Sequence, residues 1–181
     1  MTGWYDIASL EKINVEEDVA AIKESQQYVE HLVQQEVRLL DVGSAPRVDE
    51  ADLEFSLHSA VVAAGIPSER VLVGGFSQGG ALALTMLRSQ LRVAGILGLS
   101  SYLLLSSEKP LVSEGNLRTP VLMCHGDADQ VVAYEYGQES AHLLKDAGAN
   151  LEFRTYKWMG HEARADELQD IKAFLQSQLN Q

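Results

Sequence analysis

A single cysteine, Cys124, stands in a chain of 181 residues. It can close no internal disulfide, which excludes a cystine-stapled secreted scaffold and a cysteine-based metal site and points to a reducing compartment. Basic residues are scarce too: 14 Lys and Arg face 26 Asp and Glu, a formal charge of −12. No Lys/Arg cluster interrupts this acidic surface, so a phosphate backbone would be repelled and nucleic acid is disfavoured as a partner. Long apolar runs are missing. The most apolar stretch, Val93 to Leu105, is broken by Gly95, Gly98, Ser100 and Ser101 and falls short of the roughly 20 residues of a membrane span. The first ten residues hold Asp6 and neither Lys nor Arg, unlike the basic start of a secretory signal. The expectation is a cytoplasmic protein with no transmembrane segment and no cleaved signal. There is no internal repeat and no low-complexity tract.

What is present is ordinary for a globular protein: 46% hydrophobic and 22% charged residues, enough apolar material for one core. The length suits a single domain over residues 1–181. In the second half, four short runs read as strands: Arg70 to Phe76, Val93 to Leu99, Pro120 to His125 and Leu151 to Tyr156. The first three are continuously apolar, as in strands buried on both faces. Between and after them lie helical patterns over Gln78–Arg88, Ala133–Asp146 and Arg164–Leu179. Alternating strands and helices predict an α/β fold, a mostly parallel sheet with helices on its faces. In the first half, Asn14 with Glu17 three residues later resembles a capping box, and Val19, Ile22, Val29 and Val33 recur along one face of a long helix ending near Val37. Arg38 to Ala64 has no settled period: Leu53, Phe55 and Leu57 alternate as in a strand, while Leu57, Val61 and Ala64 fit one helix face.

The most specific motif is Gly75-Phe76-Ser77-Gln78-Gly79, a G-x-S-x-G between an apolar strand and a helix. A sharp strand-to-helix turn pushes a serine hydroxyl out of the sheet, and flanking glycines are expected because side chains there would clash. The helix beginning at Gln78 would aim backbone N–H groups and its positive end at a developing oxyanion. A dinucleotide loop fails, since G-x-G-x-x-G needs glycine where Ser77 stands. Serine chemistry of the α/β-hydrolase type needs an acid and then a histidine further along the chain. Both follow strands: His125-Gly126-Asp127-Ala128-Asp129 and Gly160-His161. Catalytic groups of open α/β sheets gather at the carboxyl ends of strands. Of the two aspartates, Asp127 is read as bonding local backbone N–H groups of its tight turn, and Asp129, beside Val131 and Val132, as the acid. His161 is the base placed to reach Ser77. His31, His58 and His142 are read as helical or surface residues and His125 as structural. A metal site built on His125, Asp127 and Asp129 lacks further ligands.

GGFSQGGALAL around Ser77, CHGDAD at Cys124–Asp129, Met159-Gly160-His161 and Gly3-Trp4-Tyr5-Asp6 together resemble the acyl-protein thioesterase family, which also includes carboxylesterases and lysophospholipases. The resemblance covers Met1 to about Val37 and Gly65 to the C-terminus. It implies an α/β-hydrolase fold, hydrolysis of acyl thioesters such as S-palmitoyl cysteine, no cofactor, and a triad of Ser77, Asp129 and His161 with the Gln78 N–H at the oxyanion. Candidate substrate contacts are Trp4 and, as an acyl-pocket wall, Tyr102, Leu103 and Leu105. For that stretch, plain core is the competing reading. The implied partners are acylated proteins or lipid and ester substrates, with transient membrane-surface contact, in the cytoplasm and also the nucleus. Small-ester carboxylesterase or lysophospholipase activity would use the same residues, and a catalytically dead truncated product or binding module would retain them.

Against the family pattern, the upstream strands and an HGxGD-like oxyanion turn are expected to be missing ahead of Gly3-Trp4. The outer edge of the Arg70–Phe76 strand should then be bare, and the chain a weak enzyme prone to aggregate. Residues 38–64 read as an insertion or irregular segment, such as a retained intron would encode. Trp158 stands where the family usually has glycine, and Glu162 where it often has serine.

Overall fold

A computed structural model of the chain describes residues 4–5, 17–38 and 67–179. The expected insertion and the alternating Leu53–Leu57 segment lie outside the described residues from residue 39 onward, as does Asn14. Four strands, β1 (Leu72–Phe76), β2 (Gly95–Leu99), β3 (Val121–Gly126) and β4 (Leu151–Tyr156), form one sheet in the order β1-β2-β3-β4, with every pairing parallel. The helices are α1 (Val19–Arg38), α2 (Gln78–Thr85), α3 (Tyr134–Asp146) and α4 (Ala165–Leu179), with short 3₁₀ turns at Ser68–Arg70, Met86–Arg88 and Glu114–Asn116.

The two sheet faces follow from the period-2 alternation of strand side chains. Ile96, Val121 and Met123 point into a core shared with Val33 of α1, Ala83 and Leu84 of α2, and Ala141 and Leu144 of α3. Their neighbours Leu97, Leu122 and Cys124 point the other way, toward Tyr156, Met159 and the α4 residues Ile171, Phe174 and Leu175. Helices therefore cover both faces, which is why β2 and β3 are continuously apolar. Ile96 and Met123, essentially without solvent contact, each contribute roughly 1.5–3 kcal/mol. A third cluster, of Tyr5, Ile22, Ala81, Tyr102, Leu104, Leu105 and Val132, joins the N-terminal segment to the carboxyl end of the sheet.

The helix starts differ in detail from the sequence reading. Asp18 caps α1, its Oδ1 accepting the Ala21 N–H at 3.0 Å, in the geometry of an N-cap side chain bonding the third helical residue. Glu17 accepts the Leu105 N–H at 2.8 Å. The helix after Ser77 tightens into the 3₁₀ turn at Met86 rather than running on as α-helix to Arg88. Among the described residues β1 pairs only with β2, and Gly74 and Phe76 on it are exposed.

Candidate active site

Ser77 sits between β1 and α2 with φ +54° and ψ −120°, a conformation costing a non-glycine residue about 1–3 kcal/mol. Its N–H donates to the Leu99 carbonyl at 2.8 Å, and its carbonyl accepts the Ala81 N–H at 3.0 Å, closing the first helical turn. Steric need accounts for only one of the two motif glycines. A side chain on Gly75 would run into the Gly79 backbone, with Gly80 N only 2.7 Å away, whereas one on Gly79 would meet nothing. The second tight position is Gly80, where a Cβ would lie 2.6 Å from the Gly75 carbonyl oxygen and 2.9 Å from Ser101 Oγ. The expectation that both flanking glycines avoid a clash is corrected to Gly75 and Gly80, which face each other across the turn.

Gln78, the first residue of α2, has a backbone N–H with no acceptor inside the helix. Its side chain does something the sequence did not disclose. The amide accepts the Trp4 N–H at 3.1 Å and donates to the Tyr5 carbonyl at 2.7 Å. Ser25 Oγ donates to the Trp4 carbonyl at 2.5 Å, and the Tyr5 and Tyr102 hydroxyls pair at 3.1 Å. The Trp4-Tyr5 segment is thus tied to the serine turn and to α1. Trp4 keeps 44% of its surface exposed. Tyr102, Leu103 and Leu105 are all buried and pack within the core clusters.

Asp129 and His161 meet at the carboxyl ends of β3 and β4. His161 Nδ1 donates to Asp129 Oδ2 at 2.8 Å. The other carboxylate oxygen accepts the N–H groups of Val131 and Val132, both at 2.9 Å. With its Nδ1 engaged, His161 is left with Nε2 to exchange a proton. Its ring rests on Phe76, the residue before Ser77, with centroids 4.6 Å apart. His125 is fully buried, donates from Nε2 to the Val132 carbonyl at 2.9 Å, and lies 3.4 Å from Asp129 Oδ2. Burial lowers its pKa, so the neutral ring supports the acid loop without competing as a cation for Asp129. Cys124, also buried, contacts the Tyr156 hydroxyl at 3.6 Å, and burial pushes its thiol up to about 12; it is no rival nucleophile. Among the described residues no cluster of three or more His, Cys, Asp or Glu side chains is arranged to hold a metal ion.

Asp127 bonds backbone, but not in its own turn. Its Oδ1 accepts the N–H of Trp158, 31 residues on, at 2.6 Å.

A family model described as Phospholipase/Carboxylesterase matches residues 1–179. The chain belongs to this family of α/β hydrolases. Among relatives of this phospholipase/carboxylesterase-family chain, acyl-protein thioesterase 1 of Neurospora crassa is 41% identical over 187 residues, covering 99% of this chain and 66% of that protein. Acyl-protein thioesterase 1 homolog 1 of Dictyostelium discoideum is 35% identical and covers 99% of this chain and 69% of its own length. The chain thus spans about two thirds of the length of these relatives. The crystal structure of Arabidopsis thaliana SOBER1 superposes with a TM-score of 0.77 at 28% identity, over 98% of this chain and 74% of that one. Zea mays acyl-protein thioesterase 2, at a TM-score of 0.72 and 24% identity over 98% of this chain and 72% of that one, has the same fold. Among the described residues no helix is long and apolar enough to cross a membrane.

Proposed function

We propose that this chain is a single-domain serine hydrolase that cleaves acyl thioesters, with S-palmitoyl groups on protein cysteines as the substrate class. The observation that carries the reading is the 2.8 Å bond from His161 Nδ1 to Asp129 Oδ2 beside the strained Ser77 turn. Ser77 Oγ attacks the acyl carbonyl as His161 Nε2 takes its proton. Asp129 holds the imidazole and balances its charge, and the α2 N-terminus with the Gln78 N–H faces the oxyanion. Collapse of the tetrahedral adduct expels the thiolate, which recovers the proton from His161, and water then releases the acyl group from Ser77 by the same steps in reverse order. No cofactor enters this scheme.

Support for an acylated substrate comes from the relatives named acyl-protein thioesterases at 35–41% identity and from the apolar surroundings of the site. Trp4, Phe76 and Val131 leave 39–44% of their surfaces exposed, and Trp158 leaves 87%. Such side chains at the carboxyl end of the sheet suit an acyl chain and brief contact with a membrane surface in the cytoplasm. Carboxylester and lysophospholipid cleavage is the second reading, favoured by the family description itself. Turnover of an S-palmitoyl peptide, a short p-nitrophenyl ester and a lysophosphatidylcholine should be compared on one preparation. The proposal predicts the highest kcat/KM for the palmitoyl peptide. Turnover of the short ester alone would reassign the chain as a carboxylesterase.

A further inference from the structure

The loop that presents the acid and the loop that presents the histidine are tied to each other by backbone. Asp127 N–H donates to the Tyr156 carbonyl and Ala128 N–H to the Met159 carbonyl, both at 3.1 Å. A Cβ on Gly126 would collide with the Met159 carbonyl, so the two loops touch with no room for a side chain between them. Met159 is fully buried and plugs the second loop into the core under α4. Between that plug and the end of β4 stands Trp158, with φ +61°.

A tryptophan in the left-handed region is a strained residue, and this one gains little from packing because 87% of it is exposed. The contact that holds its backbone is the charge-assisted bond from its N–H to Asp127 Oδ1 at 2.6 Å. Arg164 lies close enough to interact with Asp127 electrostatically, and its Nη1 donates to the Lys157 carbonyl at 2.9 Å, latching the same loop from the other side. Asp127 is two residues before the acid, and Trp158 three before the histidine. The Asp127 carboxylate therefore adds, at Trp158, a side-chain tie to the backbone bonds between the two loops whose tips meet in the His161–Asp129 bond.

We propose that Asp127 is a positioning residue for catalysis: by clamping the left-handed Trp158 backbone it holds His161 Nδ1 on Asp129 Oδ2. This inference rests on Ser77, Asp129 and His161 being the working triad. It differs from a local turn cap, because a turn cap would stabilise its own loop and leave the histidine unmoved.

The test uses the full chain and four proteins: parent, Asp127→Ala, Asp127→Ser and Asp127→Asn. Displacing a catalytic group by about 1 Å costs on the order of 100-fold. Asp127→Ala is accordingly expected to lower kcat on a p-nitrophenyl acyl ester by about tenfold or more, with KM within about twofold. The low-field proton resonance of His161 Nδ1–H should broaden or vanish while far-ultraviolet circular dichroism stays that of the parent. Asp127→Ser is too short to reach Trp158 and gives the same result if the alanine variant fails to fold. Asp127→Asn keeps an oxygen to accept the Trp158 N–H and should retain the resonance and a kcat within about threefold. A folded Asp127→Ala or Asp127→Ser protein with parental kcat and an intact resonance would overturn the proposal. If the parent itself turns over no ester, the hydrolase reading fails, and the resonance still decides the role of Asp127.

Discussion

The two halves of the site are built in different ways. Asp129 and His161 hang from strands paired along their length, Val121 with Leu151 through to Gly126 with Tyr156, and hydrogen bonds hold both carboxylate oxygens of Asp129 and the Nδ1 of His161. Ser77 hangs from a glycine-rich strand paired on one side among the described residues. What holds it is close backbone packing at Gly75 and Gly80 and the Gln78 amide clamp on Trp4 and Tyr5. The acid–histidine half is thus organised by directional bonds and the nucleophile half by steric exclusion. A substitution that adds one atom should harm the second half most, and one that removes a hydrogen-bond partner the first.

The largest effect comes from deleting the nucleophile. Ser77→Ala should lower turnover by about 10⁴-fold or more with unchanged thermal unfolding, checked by single-turnover assay and calorimetry; parental turnover would break the assignment. On the other half, Asp129→Asn should cost about 10³–10⁴-fold in kcat, far more than Asp127→Asn, and the reverse ranking would exchange the two roles. Steric exclusion is tested by Gly75→Ala, expected to destabilise by about 2–3 kcal/mol in denaturant unfolding. Gly79→Ala should instead be neutral or stabilising by about 0.5–1 kcal/mol, since its Cβ meets nothing and glycine weakens a helix.

A pH-dependent prediction concerns Glu167, whose two carboxyl oxygens are buried in the first turn of α4 and make no close hydrogen bond among the described residues beyond a weak approach of the Arg164 backbone. Burial raises its pKa, so the folded protein prefers the protonated acid. As pH rises from the ordinary carboxylate value toward that raised value, the unfolded chain loses its proton first and stability falls. Glu167→Gln should therefore raise Tm by about 2–4 °C at pH 7 and have little effect below about pH 4. An equal gain at both pH values would show that the carboxylate charge is not the cause. The smallest effect is that of Trp158→Gly. Relief of the positive φ is offset by glycine's unfolded-state entropy, leaving a stability change within about 1 kcal/mol.

How much of this was legible in the sequence follows the same division. Continuous apolar runs mark the first three strands, and Leu151–Tyr156, read as a strand without such a run, matches β4 end to end. The serine turn was legible because it rests on glycine spacing, a local property. Gly80 stands outside the G-x-S-x-G pattern, and only the folded turn brings the Gly75 carbonyl and Ser101 against it. The acid-to-histidine bond was anticipated from the placement of both residues after strands. The Asp127–Trp158 bond was not, since nothing in a sequence records which N–H 31 residues away a carboxylate will meet. Tyr102, Leu103 and Leu105 show the same limit from the apolar side. Composition marks them as hydrophobic, and only packing places their side chains in the core. The capping reading at Asn14 and Glu17 does not name Asp18, which caps the described start of α1, nor the bond that Glu17 accepts from the Leu105 N–H, 88 residues on.

The central claim is that steric exclusion and directional bonding bring one serine and one histidine–aspartate pair into a working site. Labelling with a fluorophosphonate probe, followed by mass spectrometric mapping, tests it most directly. The account predicts a single labelled peptide containing Ser77 in the parent chain, with labelling at least about 100-fold slower in His161→Ala. An unlabelled Ser77 in folded parent protein, or equal labelling rates in parent and His161→Ala, would contradict it.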